Sequence, residues 1–214
     1  MSPGIDFETR LIAKTNLAER LEEQLQKPGY VPQPIALGIN TDAYQPIERE
    51  QRLTRRTLEI LLRYKHPLHI ITKGSLILRD LDLLSELASH NLVSVAFSLT
   101  TLDDELKRIM EPRTAAPAAR LRAMRTLHEA GVPVSAICAP MIPQINDMEL
   151  EALLEAARDA GARSAGYVLL RLPLEIAGLF EEWLQVHFPD RATHVMSLIR
   201  SRGGKNYDSR FGSR

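Results

Sequence analysis

The chain has 214 residues, 44% hydrophobic and 25% charged, which excludes a disordered protein. A single cysteine excludes a disulfide scaffold, and 27 basic against 27 acidic residues exclude a net field drawing the whole molecule to nucleic acid or an anionic membrane. No apolar run approaches the ~18–20 residues that span a bilayer, and the opening MSPGIDFETR is polar and mixed in charge, so the expectation is a chain without a signal peptide in a reduced, cytoplasmic setting.

Leu11, Ala13, Leu17, Leu21 and Leu25 recur at helical spacing and predict a helix over 6–28, stopped by Pro28 and the glycine after it. PIALGIN (34–40) is too short for a helix and reads as a buried parallel strand. An amphipathic helix follows over 47–64, with Leu53, Leu58, Leu61 and Leu62 inward. Strand 66–74, helix 78–90 and strand 92–101 come next. TTLDDE then looks like a helix start, with Thr101 as cap and three carboxylates at the positive end. The helix over 116–130 and the one over 147–161 each end in a cap glycine, Gly131 and Gly161, before strands 132–143 and 165–173. Beyond Pro173 the pattern is all-helical, and the tail GGKNYDSRFGSR has no periodicity.

Strands alternating with helices at intervals of roughly 25–40 residues predict an α/β fold with about five parallel strands. Polar residues cluster at the strand exits: Asn40–Thr41–Asp42, Thr72–Lys73, Ser98–Thr100–Thr101, Gln144–Asn146–Asp147 and Arg171. Convergence from many strand ends suits a barrel-type site, whereas an open doubly wound sheet concentrates contacts at one switch point. A partial (β/α) barrel over 1–173, followed by a C-terminal helical extension and basic tail over 174–214, is therefore expected.

Lys73 at a strand exit can bind a carboxylate or phosphate or, desolvated, form a Schiff base. Ser98 offers a hydroxyl to a ribose or carboxylate. Asn40, Thr41 and Asp42 suit an ammonium group, while Glu48 reads as a structural carboxylate at a helix start. Met141 and Ile142 offer apolar contact to a flat base, Asn146 or Asp147 reads as a helix cap, and Cys138 as a small buried hydrophobe. The six histidines form no HExxH or other metal spacing. Arg200, Arg202, Lys205, Arg210 and Arg214 give the tail a weak claim on phosphates or nucleic acid.

The stretches SPGIDFETRLIAKTN, PIALGINTDAYQPIERE, IITKGSLILRDLDLL, FSLTTLDDELKRIMEPR, APMIPQIND, AGYVLLRLPLE and SRGGKNYDSRFG resemble radical SAM proteins, specifically the spore-photoproduct-lyase-like or "DNA repair photolyase"-like group. The resemblance implies a partial (β/α)6 barrel, a [4Fe-4S] cluster held by CxxxCxxC, and S-adenosylmethionine cleaved to a 5′-deoxyadenosyl radical that abstracts hydrogen from a substrate. It implies Asn40, Thr41 and Asp42 near the methionine amino group, Lys73 at its carboxylate, Ser98 at the ribose, and the Pro140–Pro143 loop, with Met141, at the adenine. CxxxCxxC is absent, and three thiolates are needed to hold such a cluster. The expectation is thus a fragment lacking the first strand and cluster loop, inactive as given. The alternatives are a cluster-free barrel lyase or aldolase using Lys73 as a Schiff-base amine, and a non-catalytic nucleotide- or nucleic-acid-binding module.

Overall fold

A computed structural model describes residues 12–172 and 174–201. Five parallel strands, β1 (Ile35–Leu37), β2 (Leu68–Thr72), β3 (Val93–Ser98), β4 (Val134–Met141) and β5 (Ser164–Leu169), form one sheet whose spatial order equals their chain order. Ile70 lies opposite Val95, and Phe97 opposite Ala136. A right-handed crossover that always steps to the next strand keeps the helices on one face. The order never reverses, so the sheet is the arc of a partial barrel rather than a doubly wound sheet.

The covered face is the core. Helices α1 (Leu17–Leu25), α2 (Glu48–Gln51), α3 (Leu53–Arg63), α4 (Leu81–Ser89), α5 (Asp104–Met110), α6 (Pro117–Glu129) and α7 (Leu150–Asp159) punctuate the strands. Leu58 and Leu61 of α3, Leu84 and Leu87 of α4, Met124 and Leu127 of α6, and Leu153 of α7 meet Leu68, Ile70, Val95, Phe97 and Val134 in one buried cluster. Each fully buried aliphatic side chain contributes roughly 1.5–3 kcal/mol, which is how 5% aromatics suffice. The opposite face alternates with the first: His69, Ile71, Ser94, Ala96 and Ser135 are only partly covered or exposed. Gly161, with φ of 92°, ends α7, and a Cβ there would sit 2.3 Å from the His128 ring.

A second buried cluster joins α8 (Leu174–His187) and α9 (Pro189–Ser201) to the loop after β4, through Leu184, Val195 and Met196 against Ile142 and Leu172. Phe180 stacks on Trp183 at 5.5 Å. No described helix is long and apolar enough to cross a membrane.

The elements differ from the sequence pattern mainly at their ends. Of the first helix only Leu17–Leu25 is helical; Ile12 to Asn16 are not, and residues 6–11 lie outside the described residues. The helix expected over 47–64 breaks at Arg52, whose φ is 49°. The break lets the buried Glu48 carboxylate accept the Thr54 N–H at 3.0 Å, capping α3 from the preceding helix. β2 and β3 end on the polar residues Thr72 and Ser98, short of the 74 and 101 expected, and the next N–H after β2, that of Lys73, goes to the Asp42 carboxylate instead of the ladder.

Candidate functional site

A cleft of about 490 Å³ opens at the exits of β1 and β2, facing the loop between α5 and α6. Thr41, Asp42, Tyr44, Arg49, Lys73, Gly74, Arg113 and Thr114 are among its lining residues. That volume falls in the ~300–1,000 Å³ range of small-ligand sites.

The β1 exit is held against β2 by two devices. Gly38, with φ of 91°, passes so close to β2 that a Cβ would lie 1.9 Å from the Ile71 carbonyl oxygen. Asp42 then staples the loop: Oδ1 accepts the Tyr44 N–H at 2.8 Å and the Thr72 hydroxyl at 2.7 Å, and Oδ2 accepts the Lys73 N–H at 2.7 Å. A carboxylate offers about four acceptor sites, so roughly one on Oδ2 is left beside the cleft.

Across the cleft, Lys73 Nζ donates to Glu111 Oε1. The other oxygen of Glu111 accepts from Arg120 Nη2 at 2.7 Å and from the Thr100 hydroxyl at 3.0 Å. Arg120 is 1% exposed and also donates to the carbonyls of Ala115 at 2.9 Å and Ser98 at 2.8 Å. Burial alone would push the Glu111 carboxyl up, but the Lys73 and Arg120 cations outweigh it and hold it below the usual carboxylate range. Arg120 thus fixes the 111–115 wall, and Glu111 ties that wall to β2.

Of the six residues expected to bind cofactor, Thr41, Asp42 and Lys73 come together in this cleft. Asn40 is exposed and is not among the lining residues. Ser98 is buried on β3, its hydroxyl donating to the Ala139 carbonyl at 3.3 Å, and Met141 is 1% exposed within the main core. Thr101 does not cap α5; Asp103 does, accepting from Glu105 N and Leu106 N, while Thr101 donates to Glu149 at 2.6 Å. Asn146 caps no helix with its side chain. It is fully buried, accepts the Ile142 N–H at 2.6 Å, and donates to the Thr100 and Pro140 carbonyls at 2.7 and 3.0 Å, bracing the β3 and β4 exits together. Glu111 and Arg120 escaped the sequence reading. The signal was available: Arg120 stands on the buried stripe of α6 with Pro117, Ala123, Met124 and Leu127, where a guanidinium needs a partner.

A second cavity, lined by Arg52, Arg55, Arg79 and Asp82, is stitched by ion pairs. Arg55 and Arg79 both reach the fully buried Asp80, at 3.1 and 2.8 Å, and the Arg55 guanidinium holds Asp82 down to about 2. Among the described residues no three His, Cys, Asp or Glu side chains gather as metal ligands. Arg202, Lys205, Arg210 and Arg214 lie outside the described residues.

The sequence profile of the radical SAM superfamily matches residues 6–157. The chain belongs to the radical SAM superfamily. An uncharacterized protein of Mycobacterium tuberculosis is 37% identical over 201 residues, covering 93% of this chain and 59% of its own length. An uncharacterized protein of Methanocaldococcus jannaschii is 30% identical over 139 residues, 65% of this chain and 50% of its own. One from Acidianus two-tailed virus is 34% identical over 132 residues, 59% of this chain and 42% of its own. The chain thus spans 59% of the length of its mycobacterial relative. The superfamily implies S-adenosylmethionine and a [4Fe-4S] cluster, and the residues present fit the two unequally. The cleft offers the cation Lys73 and the carboxylate Asp42, groups of the kind that pair with an amino-acid end. The cluster finds one cysteine in the whole sequence, Cys138, which is fully buried on β4 with its thiol pushed up by that burial. The one thiol of this chain does not fit a cluster.

Proposed function

We propose that the cleft binds S-adenosylmethionine by its amino-acid end, as the cofactor site of a radical SAM enzyme of spore-photoproduct-lyase-like type. One observation carries the reading: Lys73 Nζ and the open acceptor site of Asp42 share one cleft, a cation and an anion complementary to a carboxylate and an ammonium. Thr41, Gly74 and Ser75 are the neighbouring lining groups. Asn40 and Ser98 remain the proposed contacts for the rest of the cofactor, Met141 being packed in the core, and residues 1–173 and 174–214 the proposed barrel and helical extension. Bound S-adenosylmethionine supplies a 5′-deoxyadenosyl group for hydrogen abstraction when a cluster reduces it. The residues of this chain supply binding and orientation. The Schiff-base alternative is weakened because Nζ is engaged as a donor to Glu111 rather than aimed at a carbonyl.

Titration calorimetry with S-adenosylmethionine tests the reading. Lys73→Met and Asp42→Asn are expected to weaken binding at least tenfold, while 5′-methylthioadenosine, which lacks the amino-acid end, binds all three proteins alike. Equal affinity of wild type and Lys73→Met for S-adenosylmethionine, or no binding at all, refutes it.

A further inference from the structure

The charges around Lys73 sum in an uncommon way. Lys73 and Arg120 carry two positive charges, and Glu111 and Asp42 two negative ones, so the floor of the cleft is neutral overall. The other two lining cations, Arg49 and Arg113, are exposed, where solvent and salt screen them. A lysine alone at a strand exit would accept any anion, phosphate above all. Glu111 changes that. Its side chain is 8% exposed and its position is fixed by Arg120 and Thr100, so its charge is close to Lys73 and poorly screened.

We infer that Glu111 is a specificity-determining residue: it cancels the surplus charge at Lys73, so that the cleft accepts a zwitterionic amino-acid end and rejects phosphate-bearing nucleotides. This rests on the cofactor reading above for the preferred ligand, but the rejection of phosphate stands on the charge geometry alone. A carboxylate carries one negative charge and arrives with its own ammonium, which Asp42 can meet. A phosphate monoester brings up to two negative charges and no cation, and against Glu111 it gains little.

The test is equilibrium binding of S-adenosylhomocysteine, AMP and inorganic phosphate to the full chain as wild type, Glu111→Gln, Glu111→Asp and Lys73→Met/Glu111→Gln, with thermal melting of each. The expected result is a rise of about tenfold or more in affinity for AMP and phosphate in Glu111→Gln. S-adenosylhomocysteine should change by less than threefold. Glu111→Asp should restore the wild-type ratio, and the double variant should lose the gain. Loss of the buried pair with Arg120 lowers the melting temperature under either reading; a merely structural role for Glu111 would weaken all three ligands together, which would overturn the inference. So would AMP affinity within twofold of wild type in a folded Glu111→Gln, or a gain that survives loss of Lys73. If no variant binds S-adenosylhomocysteine while Glu111→Gln still gains AMP and phosphate, the cofactor reading fails and the charge filter stands.

Discussion

Replacing Arg120 by methionine tests the network that shapes the cleft. Methionine keeps the apolar stem on the buried stripe of α6 and removes the guanidinium. Four hydrogen bonds go with it: to Ala115 O at 2.9 Å, Ser98 O at 2.8 Å, Glu111 Oε2 at 2.7 Å and the Thr114 hydroxyl at 2.5 Å. Removing one member of a buried ion pair costs about 3–5 kcal/mol, because the partner charge stays behind, and the two orphaned carbonyls fall within the upper part of that range. At roughly 2–4 °C per kcal/mol for a chain of this size, the melting temperature should fall by about 6–20 °C. The control is Arg63→Met. Arg63 pairs with Glu22 at 2.7 Å, but the two side chains are 62% and 33% exposed, and such a pair is worth under about 1 kcal/mol. Urea denaturation monitored by circular dichroism measures both. A double-mutant cycle with Glu111→Gln should return a coupling within about 0.5–3 kcal/mol. Loss of less than about 1 kcal/mol in Arg120→Met, no larger than in Arg63→Met, would refute the claim that a buried guanidinium organises the 111–115 wall.

Three other changes read different parts of the structure. Gly38→Ala forces a Cβ to 1.9 Å from the Ile71 carbonyl oxygen at a φ of 91°, and should cost about 1–3 kcal/mol or more in chemical denaturation; a neutral result would mean the β1 exit does not approach β2 this closely. Asn146→Ala strips three hydrogen bonds from the β3 and β4 exits and should cost about 2–4 kcal/mol, measured the same way, with a loss below 0.5 kcal/mol (about the size of a surface change) as the contrary outcome. Acid should find Glu111: its carboxyl is lower in the folded than in the unfolded chain, so its contribution is complete above the ordinary value of 4.5 and disappears as the pH falls through the depressed folded value. Melting curves from pH 6 downward should therefore fall less steeply below about 4.5 in Glu111→Gln than in wild type, and parallel curves would contradict the assignment.

The fold was legible because its signals are periodic. Apolar runs of strand length alternate with 3.6-period stripes, and the glycines after α6 and α7 mark where each helix turns into the next strand. The break at Arg52 was hidden because the apolar stripe, Leu53, Leu58 and Leu61, begins only after it and the charged residues before it carry no stop signal; the contact of Glu48 with Thr54 explains the halt. Asp42 and Lys73 were legible as strand-exit polar groups, but their division of labour was not. Nothing local says that Asp42 spends one acceptor site on the Tyr44 N–H and two on Thr72 and Lys73 of the β2 exit, or that Lys73 meets a glutamate 38 residues away. Asn146 and Thr101 show the same limit: both have the chemistry of helix caps, and both are drawn to partners 46 and 48 residues distant instead.

At the far rim of the sheet, β5 pairs with β4 alone among the described residues, and every residue from Ser164 to Val168 is exposed. Tyr167 and Val168 are 57% and 42% exposed there. A strand in that situation recruits other strands, so two molecules meeting rim to rim would extend one continuous ribbon and hide both side chains. A lysine at Val168 is the smallest edit expected to keep two such rims apart, and a sedimentation profile that this change leaves unaltered would show that the rim plays no part in association.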